Sequence, residues 1–132
     1  MAEHRYHVPE RIRQPFGNYV HGVEVSPGAR LVFTSGQLGC SKEDAIPESV
    51  TEQSEICFEN IIAILAAADM SMADVVRINT YVTSRDYFPE YMAVRDRFVS
   101  NPPPASTVLI VEGFTRPEFK VEIEVTAAKM TN

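Results

Sequence analysis

The side chains able to do chemistry in this chain are few and scattered. Three histidines, His4, His7 and His21, lie near the N-terminus with no carboxylate or cysteine companion at ligand spacing, so they read as surface and strand histidines and no metal site is expected. Cys40 and Cys57 lack the paired spacing of a zinc or redox motif. Cys57 falls at an inward position of a helical pattern and reads as core packing. No histidine pairs with an acid in a recognisable motif and Gly-x-Ser-x-Gly is absent, which removes a nucleophilic triad. Gly36-Gln37-Leu38-Gly39 lacks the Lys-Ser/Thr ending of a phosphate-cradling loop. What remains is a pair of carboxylates, Glu122 and Glu124, alternating with Val121, Ile123 and Val125 near the C-terminus.

The elements that would position those carboxylates can be read from periodicity. Tyr19 to Val25 and Arg30 to Ser35 are strand-like runs separated by Ser26-Pro27-Gly28, which predicts a hairpin. A polar loop, Ser41 to Pro47, follows. Ser49-Val50-Thr51-Glu52 matches a capping box, and Cys57, Phe58, Ile61, Ile62, Leu65 and Ala68 recur at three and four, predicting a helix to about Asp69. Val75 to Thr83 is β-branched and alternating, with Val76, Ile78, Thr80 and Val82 on one side and Arg77, Asn79 and Tyr81 on the other. A second helix is expected to be capped by Asp86, with Pro89 in its first turn, a stripe of Phe88, Tyr91, Met92, Phe98 and Val99, and a stop at Asn101-Pro102-Pro103-Pro104. Strands at Ser106 to Val111 and Phe119 to Ala127 close the chain.

The order is β-β-α-β-α-β-β, an α+β domain with two helices on one face of a mixed sheet. Phe119, Val121, Ile123 and Val125 should face the helices, and Lys120, Glu122, Glu124 and Thr126 the other side. Val108-Leu109-Ile110-Val111 is apolar without alternation, the mark of a strand covered on both faces. A single chain of this length has no third layer for that purpose, so a second subunit is expected to cover it.

With 132 residues, 45% of them hydrophobic, the composition fits one domain over 1–132, residues 1–15 being an N-terminal extension or partly ordered arm. No apolar run reaches the roughly 20 residues that span a bilayer, and the first thirty residues do not follow a signal peptide's plan. A cytoplasmic protein with no membrane partner is therefore expected. Eighteen acidic residues against twelve basic ones, a net charge of −6, oppose binding to a phosphate backbone, so no nucleic-acid partner is expected.

Several segments together resemble the RidA/YjgF family: Gly17-Asn18-Tyr19-Val20-His21-Gly22, Thr34-Ser35-Gly36-Gln37-Leu38, Glu59-Asn60-Ile61, Pro104-Ala105, and Lys120-Val121-Glu122-Ile123-Glu124. The match runs from about Gly17 to Lys129 in the family's order and spacing. It implies a chorismate-mutase-like α+β fold and a homotrimer with small-molecule pockets between neighbouring subunits. It also implies hydrolysis of reactive imines or enamines without a cofactor. By the same resemblance Glu122 is the carboxylate that positions or activates water, Tyr19 lines the pocket, and Ser35 and Gly36 end a strand whose backbone approaches the ligand.

Ser106, followed by Thr107, stands where the family carries an arginine that grips a substrate carboxylate. A serine hydroxyl has one donor and no charge, so it cannot replace a guanidinium fork. Met92 stands where several members carry a pocket asparagine, which makes the site more apolar. Among other arginines Arg116, in the loop before the last strand, is the candidate to border the cleft, whereas Arg95 and Arg97 on the second helix read as a solvated face. An imine hydrolase of altered substrate range is the leading expectation. The alternative is a trimeric ligand-binding or regulatory protein that has lost the chemistry, and ribonuclease activity ranks behind both on charge.

Overall fold

The structure is a computed structural model and describes residues 3–131. Within these residues the strands and α-helices follow in order: β1 (Arg5–His7), β2 (Gly22–Glu24), β3 (Arg30–Phe33), β4 (Gln37–Leu38), α1 (Val50–Ala67), β5 (Val75–Val82), α2 (Phe88–Phe98), β6 (Ala105–Ile110) and β7 (Val121–Lys129), with short 3-10 turns at Met72–Asp74 and Arg85–Tyr87. The main sheet runs β3-β7-β5-β6, with β4 also paired to β7. β5 and β6 are parallel, joined by α2 as the crossover, while β7 is antiparallel to β5, β3 and β4. Two helices on a mixed sheet are thus the architecture that the periodicity implied.

The expected hairpin does not form. β2 pairs antiparallel with β1, with Tyr6 opposite Val23, and β3 pairs with β7, with Val32 opposite Ala127. Ser26-Pro27-Gly28 does reverse the chain, with Gly28 at φ +85°, but the strands it joins belong to different sheets. β1 lies within the expected N-terminal extension, held to the main sheet by His4. That histidine is buried rather than on the surface: Nε2 is 3.0 Å from Ala128 O, and Nδ1 accepts from Ser26 N at 3.1 Å. His7 is exposed and 2.9 Å from Glu24.

Ser49 caps α1 as expected, its side chain accepting from Glu52 N at 3.0 Å. The buried face is Val50, Gln53, Ser54, Cys57, Phe58, Ile61 and Leu65, whereas Ile62, expected inside, is 38% exposed. Asp86 does not cap α2. Ser84 accepts from Asp86 N and starts a 3-10 turn that runs into the helix. Phe88 is also exposed, and Tyr91, Val94 and Arg95 are the residues that α2 buries.

Alternation divides the sheet as the sequence suggests from Arg77 onward on β5 and along β7, but a register shift between Val75 and Arg77 puts Val75, and not the expected Val76, in the helix-side core. Ile78, Thr80 and Val82 with Val121, Ile123 and Val125 turn to the helices, where Phe58 stacks on Phe98 at 4.8 Å and Thr80 shares a hydrogen bond with the Tyr91 phenol. The opposite face, with Arg77, Asn79, Tyr81, Glu122 and Glu124, has no covering layer among the described residues. Among the described residues, no helix is long and apolar enough to cross a membrane.

Candidate functional site

The family-like residues fall on two sides of one sheet. In the β5–β6 register Ile78 faces Ser106 and Thr80 faces Val108, so Ser106 and Val108 share the helix side with buried Ile78 and Thr80. There they join Phe16, Tyr19, Phe88 and Met92 around a cleft of about 450 Å³. Its lining is aromatic and aliphatic apart from two hydroxyls, those of Tyr19 and Ser106. The Tyr19 hydroxyl accepts from Phe16 N at 3.1 Å, and its ring meets His21 edge-on at 6.2 Å. The segment is anchored at the start of β6, where Val20 N donates to Pro104 O at 3.2 Å. Thr107 turns the other way, accepting from Arg77 Nη2 at 3.2 Å, so it does not line this cleft.

Glu122 sits opposite Tyr81 on β5 and Leu38 on β4, on the face away from the helices. Its carboxylate lies against Gly36, where a Cβ would stand 2.7 Å from the Glu122 Cδ and force a displacement. That contact explains the glycine. Burial pushes the Glu122 carboxyl above the usual range, and neighbouring Glu124 pushes it further. Glu124 in turn accepts from the Tyr81 hydroxyl at 3.1 Å. Ser35 is exposed next to Gly36, in the irregular stretch between β3 and β4. Cys57 is wholly buried, donates to Gln37 O at 3.2 Å and has its thiol pushed up to about 12 by burial, which makes it a core residue and no nucleophile.

Within one chain, Glu122 and Ser106 cannot meet. They face opposite sides of the sheet, lie on β7 and β6 with β5 between, and are offset by the three positions separating Tyr81 from Ile78. That offset is about 10 Å of strand. Arg116 does not border the Ser106 cleft either. It lies 3.6 Å from Asp44 in the loop after the far end of β6, around a separate hollow with Thr83, Glu112, Phe114 and Phe119.

Arg95 overturns the expectation of a solvated face, since its side chain has no exposed surface. Nη1 donates to Asn18 O at 2.7 Å and approaches Asp96 at 3.1 Å, while Nε and Nη2 are buried with no partner. Arg97, paired with Glu55 at 2.8 Å and half-exposed, fits the solvated reading. Gln53 was also missed. It is fully buried on α1, with Nε2 donating to Pro47 O and Glu118 O and Oε1 accepting from Lys120 N, each at 2.9 Å. It thereby fixes the loop that leads into β7 and Glu122. A glutamine, with Ser54, on a mostly apolar helix face was the available sign.

Fold and site together define an α+β domain with a helix-side apolar cleft and a carboxylate on the open sheet face. The family model described as Endoribonuclease L-PSP matches residues 10–129, so the chain belongs to that family, the RidA/YjgF proteins. It is 31% identical over 113 residues to a 2-iminobutanoate/2-iminopropanoate deaminase of Dermatophagoides farinae, covering 84% of this chain and 85% of that one. The Rid-family protein YyfB of Yersinia pestis superposes with a TM-score of 0.85 at 25% identity, over 97% of this chain and 100% of that one. Escherichia coli TdcF, solved with bound serine, superposes with a TM-score of 0.71 at 29% identity, over 87% and 91% of the two chains.

Proposed function

We propose that this protein hydrolyses a small imine or enamine, working as a homotrimer in which Glu122 of one subunit and the Ser106 cleft of the next form one site. The observation that carries this reading is Glu122 itself, a partly desolvated carboxylate held against Gly36 on an uncovered sheet face. A carboxylate raised above its ordinary range is a better general base for water. Water adds to the C=N carbon while Glu122 takes its proton. That proton passes to the nitrogen to give a carbinolamine, and the carbinolamine hydroxyl then yields its own proton, relayed by Glu122 to the nitrogen, as the C–N bond breaks to release ammonia and leave the carbonyl product. No cofactor enters this scheme. The deaminase name of the mite relative supports the reaction class.

Tyr19, Phe16, Phe88, Met92 and Val108 would hold the organic part of the substrate, with Ser106 in the place of the family arginine. Ser35 and Gly36 would present backbone beside the reacting carbon. Two halves on opposite faces of one sheet need a second copy to meet, which supports an oligomer, and the trimeric order is the one the family resemblance implies. Imine decay measured with and without protein, over a panel of neutral and acidic imines, tests the proposal. Acceleration that Glu122→Gln abolishes is expected, and equal acceleration by that variant overturns it.

A second reading, a ligand-binding or regulatory trimer without turnover, draws on the near absence of polar groups in the cleft. It predicts that small aromatic or aliphatic acids raise the melting temperature while no imine decays faster. Ribonuclease activity, suggested by the family's description, is disfavoured by the net charge of −6.

A further inference from the structure

A cleft lined by uncharged side chains selects against charged ligands, because an ion that enters it gives up water without meeting a counter-charge. The Ser106 cleft is of this kind. Phe16, Tyr19, Phe88, Met92, Ser106 and Val108 surround it, and none of them is ionised at neutral pH. Its polar contacts are the two hydroxyls. That of Tyr19 accepts from Phe16 N at 3.1 Å, which leaves its own proton for an accepting atom of the ligand. The arginines of nearby segments are engaged elsewhere. Arg95 has no exposed surface and donates to Asn18 O, Arg97 pairs with Glu55, and Arg116 lies near Asp44 around a separate hollow. Arg13 lies over the Phe16 ring, 3.6 Å from its centroid, gives Nη1 to Gln14 O and is outside the lining. Arg77 is on the other face of the sheet, bonded to Thr107.

The carboxylate half of the site repels the same ligands for a second reason. Glu122 and Glu124 are two positions apart on β7, share its open face, and lie close enough that Glu124 pushes the Glu122 carboxyl upward. A general base stands one water away from the carbon it helps to attack. A carboxylate bonded to that carbon would set a third negative charge beside these two. A protonated imine is by contrast a cation, attracted by both carboxylates and by the faces of aromatic rings.

We propose that the substrate of this site is an imine without a carboxylate, its carbon bearing an uncharged aromatic or branched aliphatic group that fills the Ser106 cleft. This inference rests on the reading of Glu122 and the cleft as one hydrolytic site and names the substrate class. Water adds across the C=N bond and ammonia leaves, so the product is an aldehyde or ketone and nothing is oxidised or reduced. The class of reaction that supplies such an imine is the oxidation of a primary amine lacking an α-carboxylate, which gives two electrons and two protons to a flavin. Ser106 determines the choice, since a hydroxyl donates to a neutral acceptor and cannot neutralise an anion.

The imines of acetophenone and phenylglyoxylate, which differ by a methyl group or a carboxylate on the imine carbon, test the proposal as matched substrates. The two parent carbonyl compounds, titrated calorimetrically into the full-length protein, test it as ligands. Acceleration over uncatalysed decay is expected to be at least about tenfold greater for the acetophenone imine, and acetophenone is expected to bind at least about tenfold more tightly than phenylglyoxylate. Ser106→Arg should abolish both preferences. Should that variant not fold, Met92→Lys brings a positive charge to the cleft from α2 and carries the same expectation. Equal or greater acceleration of the phenylglyoxylate imine, equal or tighter binding of phenylglyoxylate, no binding of either compound, or preferences that survive the added charge overturn the proposal. If neither imine decays faster while acetophenone keeps its advantage in binding, the hydrolytic reading of Glu122 falls and the selection of an uncharged ligand stands.

Discussion

Glu122 and Gly36 act as a pair. Gly36→Ala places a methyl group where the Glu122 carboxyl lies, so the carboxylate must move. Imine turnover is expected to fall roughly tenfold to a hundredfold, the usual effect of misplacing a catalytic group by about 1 Å, with little change in melting temperature. A steady-state assay beside a thermal melt checks this. The pH dependence follows from the raised Glu122 pKa. Between the ordinary glutamate value and the raised one, the folded chain holds a proton that the unfolded chain has released. Stability contributed by this group is therefore present at low pH and is lost as pH rises through that window. Glu122→Gln, which cannot ionise, should match the parent in urea unfolding near pH 4 and exceed it at pH 7. Turnover by the parent, which needs the ionised carboxylate, should climb across the same window. The resemblance picked out Glu122, Tyr19 and Ser106 by type and order. It did not separate Ser106 from Thr107, whose side chains point to opposite faces because strand residues alternate.

At the scale of elements, Gln53 joins α1 to the segment that starts β7. Replacing it with leucine leaves the part-buried carbonyls of Pro47 and Glu118 and the N–H of Lys120 without their partner. A loss of about 2–4 kcal/mol is expected from urea denaturation. Gly39 packs on the same residue, a Cβ there lying 2.6 Å from the Gln53 Cα, so Gly39→Ala should also destabilise, by about 1–3 kcal/mol. The helices and the long β5 strand were legible because their apolar spacing is a local signal. Strand partners were not. Ser26-Pro27-Gly28 specifies a reversal of the chain, yet β3 gains more by burying Val32 against the core on β7 than by pairing with the short β2. Ser84 took the capping role from Asp86 because a 3-10 turn precedes α2, and two residues of offset lie beyond what spacing resolves.

At the scale of the molecule, the face that carries Glu122 has no cover among the described residues, and the outer strands leave apolar groups in the open. Leu31 and Phe33 on β3 and Leu109 and Ile110 on β6 are each at least half exposed. Leu109 and Ile110 belong to the unalternating run at Val108 to Val111, which asked for a covering layer that the described residues do not supply. Leu109→Glu is expected to leave the proposed trimer as folded monomers, seen by sedimentation with an unchanged far-UV spectrum, and to abolish turnover with it. An intact, active assembly in that variant would contradict both the trimer and the shared site. By itself the sequence determined the two helices, the inward faces of β5 and β7, the family, and the lack of a charged group at position 106. These depend on residue types at short spacing, which the chain carries locally. Only the tertiary structure decided that Glu122 rests on Gly36, that the Glu122 and Ser106 halves face apart, and that Arg95 is buried against Asn18, a residue 77 positions away. Each of those is a contact across the fold, and a local pattern of side chains holds no record of what a distant segment will bring against it.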